Sequence, residues 1–220
     1  MKQLVLDIHL DAPPTLDNYF VGDNAALLAS LRALALGEHD GHLYLWGEPS
    51  AGRSHLLRAT CAAAEAARYL PISALVDGVP SRPALIAIDD VHRLGDSSQI
   101  ALFNAFNRAR ENGQTLLLAG DRPPSTLKVR EDLRTRISQC LSFEIQPLTD
   151  TARTAILSAL AAQRGLRLDG EVLRYLMRYG RRDMPSLVHT LDALDHASLE
   201  RKRPITPTLL RELMQSGLDI

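Results

Sequence analysis

The chain has 220 residues, 45% of them hydrophobic and 23% charged, the profile of an ordinary soluble globular protein with room for one full domain and a smaller appendage. Its 25 basic and 26 acidic side chains nearly cancel and its pI is near 6.7, which argues against a dedicated DNA-binding surface without excluding a local basic patch. The two cysteines, Cys61 and Cys140, are too few for a disulfide framework, and no stretch approaches the about 18 apolar residues of a membrane span.

The first segment, MKQLVLDIHL, ends at Pro13-Pro14; it carries an acid within its apolar run and no small-residue cleavage site, so no secretory signal is read there and a cytoplasmic location is expected. DNAALLASLRALAL follows with leucine and alanine at helical spacing, closed by Gly37. HLYLW is short and apolar, as a buried strand is, and runs directly into GEPSAG; behind it RSHLLRATCAAAEAARYL reads as helix. Apolar runs at YLPIS, ALIAIDD, TLLLAG and SFEIQPL predict further strands, with a helix over SSQIALFNAFNRARENG. Strands alternating with helices indicate an α/β fold, a mainly parallel sheet covered on both faces.

After Pro147 no strand-like run remains. TARTAILSALAAQRG, GEVLRYLMRYG, MPSLVHTLDALDHASLERKR and PTLLRELMQSG read as helices, with Asp169 and Thr206 as N-caps and Pro207 in a first turn. The expected organisation is an N-terminal peptide over 1–10, an α/β domain over 11–148 and a small all-α domain over 149–220.

GEPSAGRS, Gly47 to Ser54, follows the pattern of a phosphate-binding loop except that Arg53 stands where lysine is expected. A strand precedes it and a helix follows, the setting such a loop requires. Gly47 and Gly52 let the backbone turn, with Glu48, Pro49, Ser50 and Ala51 between them, so that successive N–H groups point inward at phosphate oxygens, and the helix that starts near Arg53, followed by Ser54 and His55, adds its positive end. Ser54 is placed to put its hydroxyl on Mg²⁺. Asp89 and Asp90 end the strand of ALIAIDDVHRL; the first suits the Mg²⁺ shell and the second the orientation of a water for attack on a γ-phosphate. Arginine keeps the charge but is wider and planar and binds oxygens in pairs. Phosphate binding is expected to survive, geometry at the γ-phosphate is not, and the loop is expected to hold a diphosphate and hydrolyse a triphosphate slowly.

TLDNYFVGDN, GEPSAGRSHLL, AIDDVHRL, LLLAGDRPPSTL and REDLRTRIS, in this order, resemble the AAA+ ATPases of the bacterial replication-initiator group, and within it the Hda family, regulatory inactivators of the initiator DnaA. The phrases GDN…LL, LYLWGE, AGRSHLL, GDRPP and TLDALDHAS spread the resemblance over nearly the whole chain, and an arginine in the loop is itself shared with that family. The resemblance implies an AAA+ core with a helical lid, bound ADP or ATP with Mg²⁺, and DnaA as partner. It places Asp121 at sensor 1, near the γ-phosphate, and Arg136 at the arginine finger that reaches a neighbouring subunit's nucleotide; Arg130 and Arg134 are near alternatives. DnaA continues into a helix-turn-helix DNA-binding domain and this sequence ends at Ile220 without one, so no sequence-specific DNA binding is expected. In the lid, Pro185 falls where a sensor 2 arginine usually lies, leaving Arg181 or Arg182 or no lid charge at all.

Gln3, Leu4, Leu6 and Ile8 of QLVLDI resemble the peptide with which replication proteins dock on the sliding clamp, the polymerase III beta subunit, although Asp7 sits where proline is often found. The alternation of Leu4, Leu6, Ile8 and Leu10 equally fits a half-buried strand. The histidines show no metal-ligand spacing. Two functions follow: a nucleotide-binding regulator that rides the clamp and offers Arg136 to DnaA-bound ATP, or a self-sufficient ATPase of the helicase-loader or clamp-loader type. A homo-oligomer is left open.

Overall fold

The computed structural model describes residues 13–181 and 183–216. The chain divides into two compact units, Met1–Pro147 and Leu148–Ile220.

In the first unit, α1 (Ala25–Ala35) precedes β1 (Leu43–Trp46), α2 (Arg53–Ala63), β2 (Ala67–Leu70), β3 (Leu85–Ile88), α3 (Asp96–Asn112), β4 (Thr115–Gly120), α4 (Glu131–Ser138) and β5 (Leu141–Glu144). The strands form one sheet in the order β2-β3-β4-β1-β5, every neighbouring pair parallel. The side-chain period of two sends successive residues to opposite faces. Tyr44, Ile86, Ile88, Leu116 and Leu118 pack with Leu102 and Phe106 of α3 and with Leu133 and Ile137 of α4. Leu43, Leu45, Leu85, Ala87, Leu117 and Ala119 pack on the other face with Leu27, Leu28 and Leu31 of α1 and with Leu56 and Leu57 of α2. Burial of each such leucine contributes roughly 1.5–3 kcal/mol against exposure, so the central strands read as unbroken apolar runs.

The structure moves some expected boundaries. The run RSHLLRATCAAAEAARYL is helical only to Ala63, and its last residues form β2. The strand expected over YLPIS stops at Leu70, because Pro71 has no N–H for the ladder, and Ile72–Asp77 coil into a 3-10 helix. α4, within the charged REDLRTRIS, buries only Leu133 and Ile137, one turn apart.

The second unit consists of α5 (Asp150–Gln163), α6 (Gly170–Tyr179), α7 (Met184–Arg201) and α8 (Pro207–Gln215). Each begins with a capping side chain: Thr149 accepts from the Ala152 N–H at 3.1 Å, Asp169 from Glu171 at 3.2 Å, Asp183 from Ser186 at 2.9 Å and Thr206 from Leu209 at 3.3 Å. Such a cap is worth typically ~1 kcal/mol. Leu157, Val172, Leu176, Leu187, Leu194, Leu209 and Leu210 form its core. None of the described helices is long and apolar enough to cross a membrane.

Candidate functional site

In a fully parallel sheet all strand ends of one kind emerge along one edge, and ligands bind in the crevice outside the carboxyl ends. β1 delivers the chain there at Trp46, and Gly47–Gly52 turn it into α2. A Cβ on Gly47 would stand 3.2 Å from the Ile145 carbonyl oxygen, so the turn packs against the chain beyond β5. Ser50 and Gly52 take positive φ angles of 63° and 95°. The Ala51 N–H donates to the Glu48 carbonyl at 3.2 Å, and the first helical bond runs from the Leu56 N–H to the Gly52 carbonyl at 2.9 Å. Left-handed turn residues ahead of an 11-residue helix are the backbone conformation from which anion-binding concavities of N–H groups are built.

Arg53 opens that helix with its side chain only 12% exposed, and Nη2 stands 3.8 Å from Asp90 Oδ1. Nη1 is buried and has no hydrogen-bond partner among the described residues. A buried, unmet guanidinium N–H costs about 1–3 kcal/mol or more, and phosphate oxygens are the partners its planar fork matches. The residues therefore fit the phosphates of a nucleotide. Ser54 lies exposed beside it. His55 turns away from that role: its Nε2–H donates to the Thr15 carbonyl at 3.0 Å and its ring lies 5.7 Å from that of Tyr19.

β3 ends in the acidic pair. Asp89 is 4% exposed; its Oδ2 accepts from the Tyr69 hydroxyl at 2.9 Å and its Oδ1 from the Asp90 N–H at 2.8 Å. Burial first, then the bond to Asp89, raises the Tyr69 phenol above its ordinary range. Each Asp89 oxygen keeps a further lone pair, and with the Ser54 hydroxyl it makes a hard-oxygen set suited to Mg²⁺. Asp90 takes a left-handed conformation, φ 49°, and faces cations: Arg53, and Arg93 Nη1 at 3.5 Å.

Asp121 follows β4 on the same edge. Arg122 binds both its oxygens, at 3.0 and 2.6 Å, and this bonding holds the carboxyl below the usual carboxylate range; His92 Nδ1 lies 3.9 Å away. Tyr44 donates its hydroxyl to the Arg122 carbonyl at 2.7 Å, which pins the strand tip. Thus the loop, Asp89, Asp90 and Asp121 share the carboxyl edge of the sheet.

Arg136 does not. It lies in the last turn of α4, which leads into the first residue of β5, and Leu141 pairs with Leu43 at the amino end of β1. The four residues of β1 span about 13 Å between that edge and the loop. Arg136 Nη2 donates to Asn107 Oδ1 at 2.9 Å, and its guanidinium lies 5.7 Å from the Phe103 ring centre. Arg130 is otherwise engaged, meeting Asp132 at 3.2 and 3.0 Å.

In the lid, Pro185 occupies the first turn of α7 and has no side-chain donor, while Arg181 Nε pairs with Asp183 at 3.3 Å. Arg182, and Gln3, Leu4, Leu6 and Ile8, lie outside the described residues.

Several supporting residues carry no motif of their own. A Cβ on Gly52 would stand 2.9 Å from the Tyr19 ring, and the Tyr19 hydroxyl reaches the Ala51 carbonyl at 3.4 Å. Asn24, 3% exposed, exchanges two hydrogen bonds with the Gln146 backbone, at 2.9 and 2.7 Å. Tyr69 and Arg122 hold the two acidic positions. Except for Arg122, these residues act on distant chain segments; Tyr19, Asn24 and Arg122 lie inside TLDNYFVGDN and GDRPP, and Tyr69 lies in neither.

Comparison with known proteins agrees with this layout. Residues 81–144 match the bacterial DnaA ATPase domain, and residues 150–214 match the lid domain of Hda. Among solved structures, replication initiator DnaA bound to AMPPCP and single-stranded DNA superposes with a TM-score of 0.72 at 23% identity, over 88% of this chain and 69% of that one. Domain III of DnaA from Thermotoga maritima gives 0.74 at 20% identity, over 96% and 99%. A RuvB variant from Thermotoga maritima gives 0.68 at 17% identity, over 94% and 76%, so the fold is shared beyond the initiators. The two family models follow one another along the chain, so its α/β domain is similar to the DnaA ATPase domain and its second unit to the Hda lid, on a fold shared with the DnaA structures.

Proposed function

We propose that the chain is a negative regulator of replication initiation: a protein that holds ADP, docks on the sliding clamp and stimulates ATP hydrolysis by DnaA through Arg136. The observation that carries this reading is the separation of Arg136 from the chain's own phosphate loop. A guanidinium at the amino edge of the sheet serves a nucleotide held by another molecule, where it stabilises charge on the transferred phosphoryl group.

At the carboxyl edge, the N–H groups of the turn from Gly47 to Ser54, apart from Pro49, which has none, and Ala51, which meets the Glu48 carbonyl, and the guanidinium of Arg53 would hold the phosphates, with Ser54 and Asp89 toward Mg²⁺. Bound there, Mg²⁺ neutralises phosphate charge. Arg53 grips rather than catalyses: it brings a wide, paired donor where a compact ammonium serves hydrolysis. Asp121 remains ionised beside Arg122 and accepts hydrogen bonds. Pro185 offers no donor from the lid. Gln3, Leu4, Leu6 and Ile8 supply the clamp contact by their resemblance to clamp-docking peptides.

A self-sufficient ATPase draws support from the acidic pair Asp89-Asp90. Against it stands the placement of Asp90, whose carboxylate faces Arg53 and Arg93 rather than standing clear to orient a water.

The test is phosphate release from ATP-loaded DnaA in the presence of clamp on DNA. Addition of this protein is expected to accelerate release, Arg136→Ala to abolish the acceleration, and a Gln3→Ala, Leu4→Ala variant to lose clamp capture. Brisk ATP turnover by the isolated chain, or full stimulation by Arg136→Ala, selects the other reading.

A further inference from the structure

At the amino edge of the sheet, beside Arg136, lies a cavity of about 450 Å³ bordered by His39, Asp40, His42, Arg110, Gln114 and Arg136. We propose that it receives an acidic side chain of the ATPase that Arg136 serves, and so sets the affinity of that encounter. This rests on the function proposed above and adds a contact to it.

Charge is the first support. Among the described residues Arg110, exposed at the end of α3, is in no ion pair, and Arg136 is met by two neutral groups, the Asn107 amide and the Phe103 ring. Asp40 is the one carboxylate on the cavity wall among the described residues. His42 is uncharged: its Nδ1 accepts the Leu116 N–H at 3.1 Å, and burial lowers its pKa. Two guanidiniums against one carboxylate leave a site that favours an anion.

Unmet polar groups are the second support. Gln114 is 4% exposed and its amide N–H₂ donates to the carbonyls of Pro83, at 2.8 Å, and Pro80, at 3.3 Å, which fixes the orientation of the amide. Among the described residues its Oε1 is then an acceptor without a donor, and His39 Nδ1 is likewise buried without a partner. A bare anion answers the arginines but not Gln114. An acidic residue within a peptide answers both, with a carboxylate for Arg110 and a main-chain N–H for Gln114. A nucleotide is disfavoured because the aromatic face it would use is covered: Phe106 is 6% exposed and meets His42 edge-on at 5.1 Å.

The location is the third support. Arg136 borders the cavity, so a molecule that receives the guanidinium is brought against this wall. Charge complementarity there acts on encounter and affinity.

The experiment titrates each variant into ATP-loaded DnaA with clamp on DNA and reads the half-maximal concentration and the plateau rate separately. Arg110→Glu is expected to raise the half-maximal concentration about tenfold or more with the plateau retained, and Arg110→Lys to restore most of the affinity. Asp40→Asn is expected to move it the other way. Arg136→Ala removes the plateau. An Arg110→Glu curve that overlays the unaltered protein overturns the cavity proposal and leaves the function standing. A lowered plateau without a shift also overturns it, since that is an effect on chemistry. Calorimetry showing a second nucleotide per chain, lost in Arg110→Glu, makes the cavity a nucleotide site and overturns it as well. Full activity of Arg136→Ala removes the function itself.

Discussion

Arg53 Nη2 and Asp90 face each other at 3.8 Å, close enough to attract and too far to share a hydrogen bond, while Arg53 Nη1 is buried and without a partner among the described residues. The side chain is thus held at the loop without being satisfied there. Charge-assisted hydrogen bonds to an anion contribute roughly 1.5–3 kcal/mol, so Arg53→Ala is expected to weaken ADP binding about 10- to 150-fold in calorimetry. Arg53→Lys keeps the charge and is expected to retain most of the affinity. Undiminished binding by the alanine variant would show that the guanidinium does not reach the phosphates.

Gly120 lies directly against the Tyr44 ring and hydroxyl: an added Cβ would come 3.0 Å from Cζ and closer still to the oxygen. That hydroxyl holds the Arg122 carbonyl at 2.7 Å, next to Asp121. Gly120→Ala must displace the ring from a packed core, which costs typically 1–3 kcal/mol. Urea unfolding should show this loss, and the cost should shrink in a Tyr44→Phe background, because the two positions share one space.

His42 predicts a pH dependence of stability. Burial holds its pKa below the ordinary value of about 6.5. The unfolded chain then takes up a proton before the native one does, so this contribution is complete above about pH 6.5 and is lost as pH falls through the native value. His42→Ala should flatten that part of the profile, and at pH 8 it should cost about 1–3 kcal/mol by leaving the Leu116 N–H without its acceptor.

The thiols should be unreactive. Burial pushes Cys140 up to about 12 and Cys61 up to about 11. At pH 8 the nucleophilic thiolate is scarce at both. Alkylation followed by mass spectrometry is expected to label neither in the native protein within minutes and both in urea. Rapid native labelling at Cys140 would mean that α4 opens readily from the sheet.

The strands most legible in the sequence are those buried on both faces, although SFEIQPL also read as a strand and gives the largely exposed β5. LYLW, LIAI and TLLLAG are unbroken apolar runs, each halted by a glycine or an acid. β2 was harder, because its ARYL continues an alanine-rich helix without punctuation and only Pro71 marks its end. α4 was hidden for another reason: with two buried residues among eight, its apolar face is too narrow to stand out from its charges. The lid helices announced themselves through Asp169 and Thr206. At the candidate site, the turn from Gly47 to Ser54 is a local pattern and reads as one. Tyr19, Asn24, Tyr69 and Tyr44 act through contacts with residues 20 to 122 positions away, and spacing along one chain carries no trace of such partners.

Because every strand of the sheet points the same way, the α/β domain has a head, where the loop lies, and a tail, where Arg136 lies. Two such domains set end to end about a twofold axis bring like end to like end, whereas a head-to-tail stack brings the Arg136 edge of one to the loop edge of the next. Such a stack is heterologous: it engages one end of each molecule and leaves the other ends open. Under the function proposed above, such an encounter has a direction, with the giver and the receiver of the guanidinium set by which end each presents.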